Sequence, residues 1–214
     1  MIVRPYEGID ALPLHLNIYG ASDYATMVPQ KGKKEPDFSE HGVCGIDRIG
    51  DLWLIDWWFG QVETDESVKQ FIRLVGLYKP RKWWNEGGTL DKGIMPFIRD
   101  AMRRKQKFVA IETLPSIEDK GIKLQAFHAR ASAGTVHVPI RRPWGERVID
   151  QLVKFPGGRF DDAADVCGLL GRGVDKMMDA KLPSQPRRDI LVPFTEKWLT
   201  YNDRDQQPKE RFFA

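Results

Sequence analysis

The chain has 214 residues, 42% of them hydrophobic and 29% charged, with a net charge of +3, which suits a globular protein of one full-sized domain plus an appendage. It contains no run of about 18 apolar residues, which excludes a membrane-spanning helix, and its start, MIVRPYEGID, lacks the basic-then-apolar layout of a signal peptide. Two cysteines, Cys44 and Cys167, cannot build a disulfide framework or a Cys-rich zinc site and read as reduced thiols, and four scattered histidines (His15, His41, His128, His137) lack zinc-ligand spacing.

Residues 1–13 hold two prolines and a glycine and read as a leading segment. Leu14–Ala25 predicts a strand ending near a Gly and an Asp. The polar stretch 29–40, PQKGKKEPDFSE, predicts an exposed loop. His41–Ile49 and Leu52–Gly60 are apolar, aromatic-rich runs separated by Gly50-Asp51, which predicts a tight hairpin. Thr64 reads as a helix N-cap with acids behind it. Val68, Phe71, Ile72 and Val75 then follow the i, i+3, i+4, i+7 spacing of an amphipathic helix that Pro80 ends. KWWNEGG (Lys82–Gly88) predicts a short strand followed by glycines. Ile94, Phe97, Ile98, Ala101 and Met102 mark a second helix, with Pro96 placed in its first turn. Lys107–Thr113 reads as a strand, Asp119–Ala133 as a third helix closed by Gly134, and Thr135–Ile140 as a short strand. Trp144–Phe155 predicts a short helix, and a Pro-Gly-Gly turn leads into a last helix over Asp161–Ala180. Residues 183–214 are polar and Pro-rich and read as a tail after a domain over 14–182.

Three consecutive strands followed by alternating helices and strands predict a mixed α/β sheet, antiparallel in one half and parallel in the other, covered by helices. The ribonuclease H-like fold has this order of elements. In such a sheet the ends of neighbouring strands lie together, so Asp23, Glu86 and the acids opening the last helix (Asp161, Asp162, Asp165) can converge. Converging carboxylates repel one another unless a cation neutralises them. Hard oxygen ligands favour Mg²⁺ or Mn²⁺, and two such ions about 4 Å apart suit phosphodiester hydrolysis. The alternative is solvated caps at element ends, Asp161 being a good helix N-cap.

The motifs YGASDYA, IGDLWLIDWWFGQ, WWNEGG and FPGGRFDDAADV, in this order, resemble the nuclease domain of the phage terminase large subunit over Leu14–Ala180. Asp119-Lys120, followed by a helix and then a strand ending at Pro139, fits the same pattern. The resemblance implies an RNase H-like endonuclease that uses two Mg²⁺ or Mn²⁺ ions to cut concatemeric double-stranded DNA during viral packaging. It makes Asp23 the first ligand, bridging both ions, and Glu86 the second. The third comes from Asp161 and Asp162, with Asp162 preferred. Asp165, one helical turn on, falls outside the ligand set, and Lys120 contacts a phosphate or orients a carboxylate. Further implied partners are a terminase ATPase domain, a portal and a small terminase subunit, in the cytoplasm of an infected bacterial host. Two departures stand out. Relatives carry a compact Gly-Asp-Tyr-Thr stretch where this chain has the longer KGKKEPDFSEHGV, so Asp37 is given no role. The family's motor loop, Gly-x-x-x-x-Gly-Lys-Ser/Thr, does not occur, so ATP hydrolysis is not expected of these residues.

Two basic groups, Arg103, Arg104 and Lys105 with Arg99 and Lys107, and Arg141 with Arg142, are candidates for DNA phosphates, against the alternative of solvated helix ends. The tryptophans of the third and fourth strands read as sheet packing rather than base-stacking platforms. Ser22 beside Asp23 lacks a His–Asp pair, which excludes a serine nucleophile. Two other readings use the same residues: a resolvase- or integrase-type nuclease, and a degenerate DNA-binding or capsid-docking module, against which the intact acids argue.

Overall fold

The structure, a computed structural model, describes residues 3–25 and 37–173. Its strands are β1 (Arg4–Tyr6), β2 (Asn17–Asp23), β3 (Ser39–Ile46), β4 (Leu52–Gly60), β5 (Lys82–Glu86), β6 (Ile111–Leu114) and β7 (Val136–Pro139), and its helices α1 (Thr64–Tyr78), α2 (Thr89–Lys105), α3 (Lys120–Ser132), α4 (Pro143–Lys154) and α5 (Asp162–Gly173). The strands form one sheet in the order β1-β7-β4-β3-β2-β5-β6. β2, β3 and β4 run antiparallel to their neighbours among themselves, and β5, β6, β7 and β1 join in parallel. This is the predicted mixed α/β architecture. Parallel neighbours require crossovers, and α1, α2, α3 and α4 supply cover on both faces.

Each face has its own core. Tyr19, Ala21, Cys44, Trp57 and Trp84 meet Leu124, Phe127, Val148, Leu152 and the apolar side of α5. Val43, Ile55 and Trp83 meet Val68, Phe71, Ile72, Val75, Ile94 and Ile98 of α1 and α2. Strand alternation therefore sends Trp83 and Trp84 to opposite cores, both fully buried. That bears out the packing role of these tryptophans. Cys44 and Cys167 are free and buried.

Several local predictions need correction. β1 lies in the leading segment yet pairs with β7, because its short edge needs only one partner. β3 starts at Ser39, inside the predicted loop; Ser39 and Glu40 are buried. The hairpin turn spans Asp47–Asp51 rather than two residues. The Asp47 carboxylate accepts the N–H groups of Ile49 and Asp51 and so satisfies a wider loop. The N-cap of α1 is Glu63, and Thr64 is the first helical residue. Pro96 sits in the middle of α2, on its exposed side, where water can serve the carbonyl it leaves unpaired. β6 covers 111–114, with exposed chain before it. Gly134, at φ 71°, does close α3. The predicted end of the last helix, beyond Gly173, and the tail lie outside the described residues.

Candidate active site

Backbone pairing alone aligns three carboxylates. Asp23 ends β2 directly opposite Glu40 of antiparallel β3, and Ser22 pairs with Asn85 of parallel β5, which puts Glu86 beside Asp23. Residues level with one another on neighbouring strands share a face and lie about 5 Å apart. Glu40, Asp23 and Glu86 thus form a row at one end of the sheet, facing the side that α5 covers.

α5 brings the other acids over this row. The Asp161 carbonyl accepts the Asp165 N–H at 3.0 Å, so Asp161 stands at the N-cap position. Gln151 of α4 accepts the Ala163 N–H at 2.8 Å, serving a second orphan donor of the helix start. Close backbone approach sets α5 against α3: a Cβ on Gly168 would come 2.8 Å from the Lys123 carbonyl oxygen, and one on Gly171 2.4 Å from the Phe127 nitrogen. That approach carries Lys123 into the acidic cluster. Its Nζ lies 2.6 Å from Glu86 Oε2 and 2.9 Å from Asp165 Oδ1, and its side chain is only 10% exposed.

The electrostatics match a crowded anionic site. Burial pushes Asp23 well above the usual carboxylate range, and Asp165, Glu86 and Asp162 add to this against the pull of Lys123. Asp165 is also raised, by burial first, with Lys123 opposing. Burial tends to discharge Lys123, but Asp165 and Glu86 outweigh it and hold the ammonium above its ordinary value. Asp162 is pushed up to about 6 by burial and by Asp37 and Asp161. The Phe38 backbone N–H donates to it, while its Oδ2 is buried without a hydrogen-bond partner. Glu40 is raised to about 7 by burial, against Arg147 and Trp57; Trp57 Nε1 donates to it at 2.7 Å and Arg147 Nη1 lies 2.5 Å away. The Arg147 guanidinium rests 4.0 Å from the Phe59 ring centroid.

The structure therefore gathers Asp23, Glu86 and Asp165 about Lys123, with Asp162 beside them. Asp161 turns to an ion pair with Lys120. Asp165, expected outside the ligand set, belongs to the innermost group. Asp37, expected to have no role, is close enough to raise Asp162. Glu40, Arg147 and Lys123 were not anticipated. Lys123 left a signal: it stands four residues before Phe127, on the apolar stripe of α3, where an unpaired lysine is costly. Glu40 left none, since only pairing with β2 reveals its neighbour. The two basic groups separate. Arg103, Arg104 and Lys105 form the last turn of α2, whose start follows Glu86, so about 25 Å of helix divides them from the carboxylates. Arg141 and Arg142 follow β7 and stand at the same end of the sheet as the acids.

For a divalent ion, the donor set fits in kind: four carboxylates of hard oxygen, one with a buried unpartnered atom. Among the described residues no group of three or more His, Cys, Asp and Glu is placed to hold an ion. The ammonium fills the gap between Glu86 and Asp165.

Strand order and direction, with acids at the ends of β2 and β5 and the start of α5, define a ribonuclease H-like fold. No family profile and no curated protein matches the sequence. Solved structures do match the fold. The large terminase nuclease from thermophilic phage G20c with bound magnesium superposes at a TM-score of 0.57 and 16% identity, over 80% of this chain and 92% of that one. The same nuclease with bound zinc gives 0.52 and 15%, over 79% and 91%. The Thermus phage P74-26 large terminase nuclease domain gives 0.55 and 14%, over 85% and 95%. The chain thus has the fold of large terminase nuclease domains, as its motifs suggested.

Proposed function

We propose that this chain is a divalent-metal-dependent DNA endonuclease, the nuclease domain of a viral DNA-packaging terminase that cuts concatemeric double-stranded DNA. The observation that carries the reading is the convergence of Asp23, Glu86, Asp162 and Asp165 at one end of a terminase-nuclease fold. Asp23 is central, since its strand neighbours and α5 bring a carboxylate to it from either side. These residues would hold one or two Mg²⁺ or Mn²⁺ ions, with Asp161 left to its ion pair with Lys120. When bound, such ions neutralise the carboxylates, acidify a water and offset charge on the departing oxygen. The chain's own residues do the rest. Burial of the row excludes bulk water and strengthens each charge interaction. Lys120, half exposed beside Asp161, can meet a phosphate. Arg141 and Arg142, at the same end of the sheet, are the candidates for further phosphate contacts, Arg141 standing beside Glu7. The cytoplasm of an infected host, an ATPase domain, a portal and a small subunit belong to this reading as its setting.

Plasmid cleavage with added Mn²⁺ tests it directly. Nicking and linearisation with Mn²⁺, abolished by EDTA, are expected. Undiminished cutting in EDTA refutes the metal chemistry, and strict preference for four-way junctions would make the protein a resolvase instead.

A further inference from the structure

We propose that Lys123 is a resident cation of the carboxylate cluster, competing with the divalent ion for it, so that its ammonium must leave the gap for metal to enter. The inference rests on the nuclease reading and deepens it.

Lys123 reaches acids from two separate elements at once, Glu86 at the end of β5 and Asp165 on α5, and its charge is also felt by Asp23 on β2. At 2.6 and 2.9 Å its Nζ occupies the lone pairs that would face an ion. Magnesium needs oxygens at about 2.0–2.1 Å, and an ammonium in the same gap both blocks and repels it. Both partners are themselves only 15% and 16% exposed, so they have little water to turn to in its place. Gly168 of α5 packs so close to the Lys123 carbonyl that no Cβ would fit between them, so this approach of α5 to α3 holds the lysine beside Asp165. Lys120, by contrast, is 51% exposed and pairs with Asp161 at the rim. A buried lysine also explains how the cluster folds without metal: removing one partner of a buried ion pair leaves uncompensated charge. Lys123 therefore stabilises the metal-free protein and sets a threshold of divalent ion below which the site stays closed.

The test is Lys123→Met, which keeps length and removes charge, with Mn²⁺ affinity read by calorimetric titration and melting followed with and without Mn²⁺. The expected result is a metal-free variant that melts lower than wild type, binds Mn²⁺ at least 10-fold more tightly, and gains more in melting temperature from the ion. If Lys123→Met does not fold without metal, circular dichroism during Mn²⁺ titration replaces melting, and Lys123→Gln is run in parallel. Folding driven by Mn²⁺ below the wild-type dissociation constant supports competition, and no recovery with Mn²⁺ in either variant overturns it. Equal or weaker Mn²⁺ binding by a folded variant, while wild type cleaves with Mn²⁺, overturns the role of Lys123 alone. Absence of Mn²⁺ binding and of cleavage in both proteins overturns the nuclease reading with it.

Discussion

Consecutive residues of β2, β3 and β5 face opposite sides of the sheet, and the two sides handle polarity in opposite ways. Ser22, His41 and Asn85 point toward α1 and α2. There Trp83 Nε1 donates to Ser22 Oγ at 2.7 Å, the hydroxyl pairs with His41 Nδ1 at 2.8 Å, and His41 Nε2 meets the Ser67 carbonyl at 3.0 Å. Asn85 and Thr113 donate to the buried Asp91. Burial pushes His41 down to about 4, so it stays neutral. Asp23, Glu40 and Glu86, one residue away in each strand, face α3, α4 and α5. That side gathers charge, raises carboxyl groups above their usual range and leaves Asp162 Oδ2 unpartnered. The hydrogen-bonded network fixes a core, although Asn85 Oδ1 and the Tyr24 hydroxyl on that side are unpartnered too. Crowded like charges, by contrast, depart from the consistency of the rest of the chain, and such departures concentrate at functional sites.

The sharpest way to break this contrast is Asp23→Asn against Ser22→Ala. Asp23→Asn should fold normally and lose at least about 100-fold in plasmid cleavage rate, as other electrostatic deletions do. Asp165→Asn should lose a similar factor, and near wild-type cleavage would remove it from the innermost group. Ser22→Ala should do the reverse. It leaves buried His41 and Trp83 donors or acceptors unpaired, at a cost of about 1–3 kcal/mol in denaturant unfolding, while the folded enzyme still cuts.

A smaller effect separates the two sides by pH. Glu40 holds its proton in the folded state up to about pH 7, against an ordinary value of 4.5. The folded chain therefore binds more protons than the unfolded one between those values, and stability falls as pH rises through that window. In EDTA this contribution should lower the melting temperature by several degrees from about pH 5 to pH 7.5, at roughly 2–4 °C per kcal/mol. It is offset in part below pH 6.5 by His41, whose lowered value makes stability rise with pH there. Glu40→Gln should flatten the curve, and an unchanged slope would show that Glu40 does not titrate there.

The smallest effect concerns DNA. Neutralising Arg141 or Arg142 should flatten the slope of log K against log salt by about 0.9 for each phosphate no longer paired. Neutralising Arg103 and Arg104, at the far end of α2, should leave it nearly unchanged. The opposite ranking would put the duplex over the α1 and α2 face.

Element types and their order were legible in the sequence because they depend on local patterning: the period of Val68, Phe71, Ile72 and Val75, the apolar runs of β3 and β4, and Gly134 closing α3 at positive φ. Asp23, Glu86 and the acids before and within α5 were legible too, because they sit at element ends inside recognisable motifs. What only the tertiary structure decided was which charges meet. Pairing of β3 with β2 put Glu40 beside Asp23, and two glycines that let α5 lie against α3 brought Lys123 between Glu86 and Asp165. Packing gave Asp161 the partner Lys120 and Asp165 the partner Lys123, although the two acids are equally buried. Local periodicity specifies a residue's face, but the charge opposite that face belongs to another part of the chain, and only packing selects it.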